Sequence, residues 1–159
     1  MKKVNFKPLL PETAESYAAA EALFNNMRDT DREEMLLMGY DNIEYVTDSI
    51  NTSKECFACY TEDGRILGIG GIADAPDFGL GVPIWFLASK DIAHYHKQLV
   101  RHGMAIIKRY LEIYGKVYNY ISIDNLQAIR YIRKAGAVIY PPQKWGINGA
   151  LFVPFVIER

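Results

Sequence analysis

Cysteine is scarce in this 159-residue chain: Cys56 and Cys59 are the only two. They cannot build a disulfide framework. C-x-x-C is a metal and redox spacing, but a zinc site would need a second ligand pair, which the sequence lacks. Both cysteines fall in Glu55–Thr61, a stretch of strand character in which residues three apart point to opposite faces. Buried free thiols are therefore expected, and no metal. Net charge is nearly absent too, at −1. It implies no global electrostatic partner and gives no strong nucleic-acid signal, while leaving room for local basic patches. No apolar run approaches the roughly 20 residues that span a bilayer. Met1–Lys7 has no signal-peptide core. A cytoplasmic location without a membrane partner is the expectation. Repeats, linkers and low-complexity tracts are also missing. With half the residues hydrophobic, a single domain over 1–159 is expected rather than disorder.

What is present reads as alternating strands and helices. Val4–Leu9 is a first strand, followed by helices over Glu12–Met27, Asp31–Met38 and Asn42–Ile50. Asp29 or Thr30 is read as the cap of the second, and its acids Asp31, Glu33 and Glu34 as surface groups that favour the helix dipole. Glu55–Thr61 and Arg65–Ala73 flank Asp63-Gly64, a pair suited to a two-residue hairpin turn. Gly68, Gly70 and Gly71 in the second of these strands predict a bulge or a close approach. Val82–Ala88 is continuously apolar, as in a strand covered on both faces. A long amphipathic helix is predicted over Ile92–Tyr114, capped by Ser89 or Asp91. Its stripe is Ile92, Tyr95, Leu99, Gly103, Ile106, Tyr110 and Ile113, with Gly103 marking a close neighbour. Val117–Ile123 is a strand, Asn125–Ala135 a helix with Asp124 and Gln127 as a capping box, and Ala137–Tyr140 and Gly149–Ile157 are strands around a loop.

The stretch Ile84–Gly136 organises the rest. Strand, crossover helix and strand make a parallel pair. Ligands in such sheets bind beyond the carboxyl ends of the strands, where helices begin. That places the candidate site at Leu87–Ser89 and Asn125.

The element order, with Asn125-Leu126-Gln127-Ala128 and Gly136, resembles the GNAT superfamily of acyl-CoA-dependent N-acyltransferases, whose N-x-x-A segment contacts the pantetheine arm of the cofactor. The resemblance implies an α/β (α+β) fold: a mixed sheet of six to seven strands with a central splayed parallel pair and helices on both faces. It implies acetyl-CoA as co-substrate and an amine acceptor. Leu87, Ala88, Ser89, Asn125 and Ala128 are the expected cofactor contacts, and Asp31, Glu33 and Glu34 border the acceptor site. Two departures stand out. The family's glycine-rich pyrophosphate loop is replaced by Ser89-Lys90-Asp91-Ile92-Ala93-His94, so phosphate contact would fall to Lys90, His94, Lys97 or Arg101. The tyrosine that protonates the leaving thiolate in many members falls at Ile132, with Tyr131 next to it. His94 and Tyr131 are the only catalytic candidates. These departures, with Trp85-Phe86-Leu87-Ala88-Ser89, resemble the GNAT-like internal virion and virion-assembly proteins of podoviruses. That resemblance implies an alternative: a catalytically degenerate phage protein with phage or host partners, located in host cytoplasm or virion. Bland readings remain beside these: Ser89 and Asn125 as helix caps, the histidines as a solvated face, and Tyr118 and Tyr120 as core or groove lining. Phe152 and Phe155 on the last strand are read either as a homodimer edge or as core.

Overall fold

Residues 2–159 are described by a computed structural model. Their order is β1 (Val4–Pro8), α1 (Ala14–Asn25), α2 (Asp29–Leu37), α3 (Glu44–Asn51), β2 (Ser53–Thr61), β3 (Ile66–Ala73), β4 (Val82–Ala88), α4 (His96–Tyr114), β5 (Lys116–Ser122), α5 (Leu126–Lys134), β6 (Val138–Ile139), β7 (Gln143–Lys144) and β8 (Leu151–Glu158). One sheet runs β1-β2-β3-β4-β5-β8-β6, with β7 also on β8. It is antiparallel except for β4–β5. The fold is therefore the expected mixed sheet, with eight strands because β7 lies inside the predicted loop.

Side chains alternate across β4, and the alternation sorts the core. Trp85 and Leu87 pack with α1 and α3 residues such as Leu23 and Ile50. Ile84 joins the cluster of Tyr110, Val117 and Ile132 under α4 and α5, and Phe86 and Ala88 pack with Ile92 and Leu99. Helices thus cover both faces, as the period of two requires. Cys56 and Cys59 fall in different clusters, buried and free.

Several local expectations are corrected. The hairpin loop has three residues: Thr61 N–H donates to Arg65 O, and Gly64 takes φ +86°, the turn-plus-bulge geometry of a three-residue loop. The long helix begins late, because Lys90–Tyr95 winds as a 3-10 helix and α4 starts at His96 with no side-chain cap. Ile113 is exposed, and Ile107, Leu111 and Tyr114 take the buried side instead. Phe152 and Phe155 are both core residues of a strand paired on both sides, so neither is a dimer edge. The β3 glycines make room for an aromatic ring. A Cβ at Gly68 or Gly70 would strike the Phe86 side chain.

Candidate functional site

β4 and β5 pair only at Val82–Val117 and Pro83–Tyr118, then part. The cause of the gap can be read from the ladders on either side. Ser89 N–H donates to Leu67 O at 2.9 Å, so Ser89, Leu87 and Trp85 spend their backbone groups on β3. The intervening residues Ile84, Phe86 and Ala88 turn theirs towards β5. On β5, Ile123 N–H donates to Leu151 O, which by the same alternation aims the groups of Tyr118, Tyr120 and Ser122 into the gap.

Most of these groups are satisfied by side chains. Asn119 Nδ2 donates to Ile84 O at 2.6 Å, while its Oδ1 accepts from Tyr120 N–H at 2.7 Å. At the far end, α2 lies across both strand ends. Asp31 accepts from Ala88 N–H at 2.8 Å, and Arg28 N–H donates to Ala88 O at 2.9 Å. Glu34 Oε1 accepts from Ser122 N–H and from Asn125 Nδ2, each at 3.1 Å. No side chain among the described residues bonds to Phe86 N–H, Phe86 C=O or Tyr120 C=O. These three face the gap.

Asp31 and Glu34 are therefore not the surface groups expected, whereas Glu33 is. Asp31 is 3% exposed and is held by the Arg28 guanidinium at 2.8 Å. Burial still lifts its carboxyl above the ordinary aspartate value, outweighing Arg28. Burial lifts Glu34 as well, against hydrogen bonds from Asn125 and Ser122 that lower it. Helix-dipole compensation is left to exposed Glu33 and Asp29.

A cavity of about 610 Å³ occupies the gap and is lined from both sides of the sheet. On the α2 side its wall includes Glu34, Tyr45 and Trp145. On the α4–α5 side it includes Tyr95, Leu99 and Tyr131. Tyr120 stacks on Trp145 with ring centroids 3.8 Å apart and planes 1° from parallel, at the α2-side wall. Trp85 is drawn aside by its hydrogen bond to Ser53 Oγ at 2.8 Å. Neither Trp85 nor Tyr120 fills the gap.

Of the site residues expected from sequence, Leu87, Asn125, Ala128, Tyr131, Asp31 and Glu34 line this cavity, whereas Ala88, Ser89, Lys90, His94, Lys97, Arg101 and Glu33 do not. Ser89 is fully buried, with its hydroxyl donating to Ile66 O and its carbonyl accepting from Ile92 N–H. All its polar groups are spent on the fold. Ala88 is buried, with both backbone groups held by α2. Lys97, Arg101 and His94 are exposed and lie off the cavity wall. Asn125 is itself the cap of α5, accepting from Ala128 N–H at 3.2 Å, whereas Asp124 is exposed. Ile132 is core, and Tyr131 faces the cavity. The Tyr131 hydroxyl reaches Leu99 O at 3.4 Å and occupies the space a side chain at Gly103 would need. That is the close neighbour predicted there. Burial pushes the Tyr131 hydroxyl up to about 12. No group of three or more His, Cys, Asp or Glu able to hold a metal ion exists among the described residues. Among the described residues no helix is long and apolar enough to cross a membrane.

Solved structures share this arrangement over almost the whole chain. Spermidine N-acetyltransferase from Vibrio cholerae, in complex with CoA and spermine, matches with TM-score 0.67 and 13% identity, covering 98% of this chain and 95% of its own. A GNAT-family acetyltransferase from Bacillus anthracis gives TM-score 0.68 and 14% identity over 99% and 98%. Ribosomal-protein-S5-alanine acetyltransferase from Vibrio fischeri gives 0.69 and 10% over 99% and 96%. The fold is that of the GNAT acetyltransferases, and identities this low establish the fold alone. In sequence, residues 58–141, more than half of the chain, match the family described as bacteriophage T7, probable scaffold protein Gp13. The chain belongs to that family. No curated protein matches it in sequence.

Proposed function

We propose that this chain binds an acyl-CoA, with acetyl-CoA the simplest case, in the β4–β5 gap and passes the acyl group to an amine entering beside α2. The supporting observation is the Phe86 amide and carbonyl left facing a cavity lined from both sides of the sheet. Backbone polar groups that face a cavity instead of a neighbouring strand are open to a ligand. A pantetheine arm, an extended chain with two amides, offers both a donor and an acceptor. An acyl-CoA supplies the activated acyl group and a thiol leaving group. The chain's own part is to hold that arm between Phe86 and Tyr120, with Leu87 and Ala128 as walls and Asn125 fixing the start of α5. Most of the acceleration comes from positioning. Glu34 borders the cavity with a raised carboxyl pKa, so it is suited to taking a proton from an entering ammonium. Tyr131 stays protonated at neutral pH, so it is suited to a proton donor's role and not to a base's. The phosphates fall to the uncapped first turn of α4, where His96 and Gln98 border the cavity and Lys97 and Arg101 stand outside it.

A second reading is favoured by α2 itself. Asp31, Arg28 and Glu34 already occupy the Ala88 and Ser122 groups that an extended arm would otherwise use, and the family carries the description of a probable scaffold protein. In this reading the chain resembles the podovirus internal virion proteins. It acts in virion assembly or host contact without turnover, in the host cytoplasm or the virion.

Calorimetric titration with acetyl-CoA, followed by thiol release in the presence of primary amines, separates the two. Binding with amine-dependent thiol release supports transfer. No heat at millimolar acetyl-CoA overturns it and leaves the assembly role.

A further inference from the structure

Charge is sorted between the two sides of the sheet. Residues 11–52, which contain α1, α2 and α3, carry ten carboxylates against two arginines, Arg28 and Arg32. Eight of the ten acids are exposed, and of these only Asp29 meets a cation among the described residues, Lys90 at 3.9 Å. Helices α4 and α5 carry seven lysines and arginines against one acid, Glu112. Neither 92–111 nor 125–157 contains any Asp or Glu. Lys97, Arg101 and Lys108 stand four and seven apart, on one stripe of α4. Arg130, Arg133 and Lys134 stand three and four apart on α5. All six are exposed, and none forms an ion pair among the described residues.

Because α1 and α3 pack on one face of the sheet and α4 and α5 on the other, the acidic and basic surfaces are opposed. We propose that the chain assembles head to tail, with the basic α4–α5 face of one copy seated on the acidic α1–α3 face of the next. Crowded like charges on one helix face are destabilising, and each surface is the electrostatic complement of the other. A twofold dimer joins the same patch on both copies, so it would press basic on basic or acidic on acidic. A heterologous contact satisfies both and propagates into a ring or a filament. A polynucleotide would use the basic face alone and be repelled by the acidic one, and the net charge of −1 adds no attraction. The inference holds whether or not the gap binds a thioester.

Sedimentation velocity of the full chain at rising concentration, in about 0.1 M and about 1 M salt, tests it. Between these the screening length falls from about 10 Å to about 3 Å. In low salt the average mass should climb above the 18.1 kDa monomer without a dimer plateau, and in high salt it should return to monomer. Lys97→Glu/Arg101→Glu/Arg130→Glu should abolish the climb, and so should Glu15→Lys/Glu21→Lys/Glu44→Lys. Mixing the two variants should restore association as a one-to-one pair, since the first keeps its acidic α1–α3 face and the second its basic α4–α5 face. Near-UV circular dichroism checks that each is folded. Should a triple variant unfold, Arg101→Gln/Arg130→Gln should still weaken association at least tenfold. A monomer in low salt, a closed dimer, association indifferent to salt, or association surviving either reversal would overturn the proposal. Duplex DNA binding that is lost on basic-face reversal, without self-association, would replace it with a polyanion surface.

Discussion

Replacing Asp31 by alanine should loosen the end of β4 more than any exposed substitution on α2. The side chain is 3% exposed and does two jobs: it pairs with Arg28 through Nε at 2.8 Å and Nη2 at 3.2 Å, and it accepts Ala88 N–H at 2.8 Å. Removing one partner of a buried pair costs about 3–5 kcal/mol. An orphaned buried amide costs about 1–3 kcal/mol when counted separately, so the two overlap and are not summed. About 4 kcal/mol corresponds to a fall in melting temperature of roughly 10 °C for a chain of this size. Asp31→Asn keeps one acceptor for Ala88 and should cost about half as much. Urea unfolding gives the global number, and amide hydrogen exchange gives the local one. Exchange at Ala88 should speed up in Asp31→Ala by more than that at Leu87, which is bonded within β3–β4 and follows the global stability. Loss of less than about 1 kcal/mol, with Ala88 still protected, would refute the idea that α2 holds this strand end.

Three further outcomes follow from the same geometry. Burial raises the folded-state pKa of Glu34, so the folded chain binds more protons than the unfolded one just above the ordinary glutamate range. That contribution is fully present below the unfolded pKa and is lost as pH rises through the folded one. Glu34→Gln keeps an acceptor for Ser122 and Asn125, and should flatten the decline in stability as pH rises above the ordinary glutamate range. An unchanged slope would assign the pH dependence elsewhere. Gly103→Ala would ordinarily gain about 1 kcal/mol in a helix, but here it should destabilise, because its Cβ meets the Tyr131 hydroxyl. In a Tyr131→Ala background the sign should reverse, and simple additivity in the double-mutant cycle would contradict the contact. Burial pushes Cys56 and Cys59 up to about 12. At pH 8 roughly one thiol in ten thousand is ionised, so a disulfide reagent should label them only as fast as the chain opens. Rapid labelling of the native protein would show the thiols to be accessible.

The parts of the fold that rest on repeating signals were legible in the sequence. The apolar run of β4, the long amphipathic helix and the alternating β5 define a parallel pair, and the glycines of β3 announce a close neighbour. Gly103 announces another on α4. What sequence could not supply is which polar groups are spent on the fold. Asp31 and Glu34 look like ordinary first-turn acids, because nothing local records that α2 crosses the ends of β4 and β5, 57 and 88 positions away. Ser89 reads as a cap or a ligand contact. The β3 edge claims it instead, through Ile66 O and Leu67 O. Phe86, whose backbone groups face the gap, is not singled out by sequence. Only the hydrogen-bonding phase of the β3–β4 ladder reveals it, and sequence does not encode that phase visibly. Its one sequence signal is the run of glycines opposite, which needs a large side chain to cover it. In sequence the cation stripe on α4 reads as a phosphate substitute because it follows β4. The 3-10 turn over Lys90–Tyr95 delays the helix, and Lys97 and Arg101 end up outside the cavity.

The gap's capacity to hold a thioester arm is tested most directly by the backbone amide spectrum of the labelled chain during titration with acetyl-CoA. The Phe86 amide should shift most on β4, as it comes to donate to an amide carbonyl of the pantetheine arm. Ala88 and Ser122, already held by Asp31 and Glu34, should move little. A Phe86 resonance unmoved at millimolar acetyl-CoA, or shifts confined to the outer faces of α4 and α5, would contradict the account.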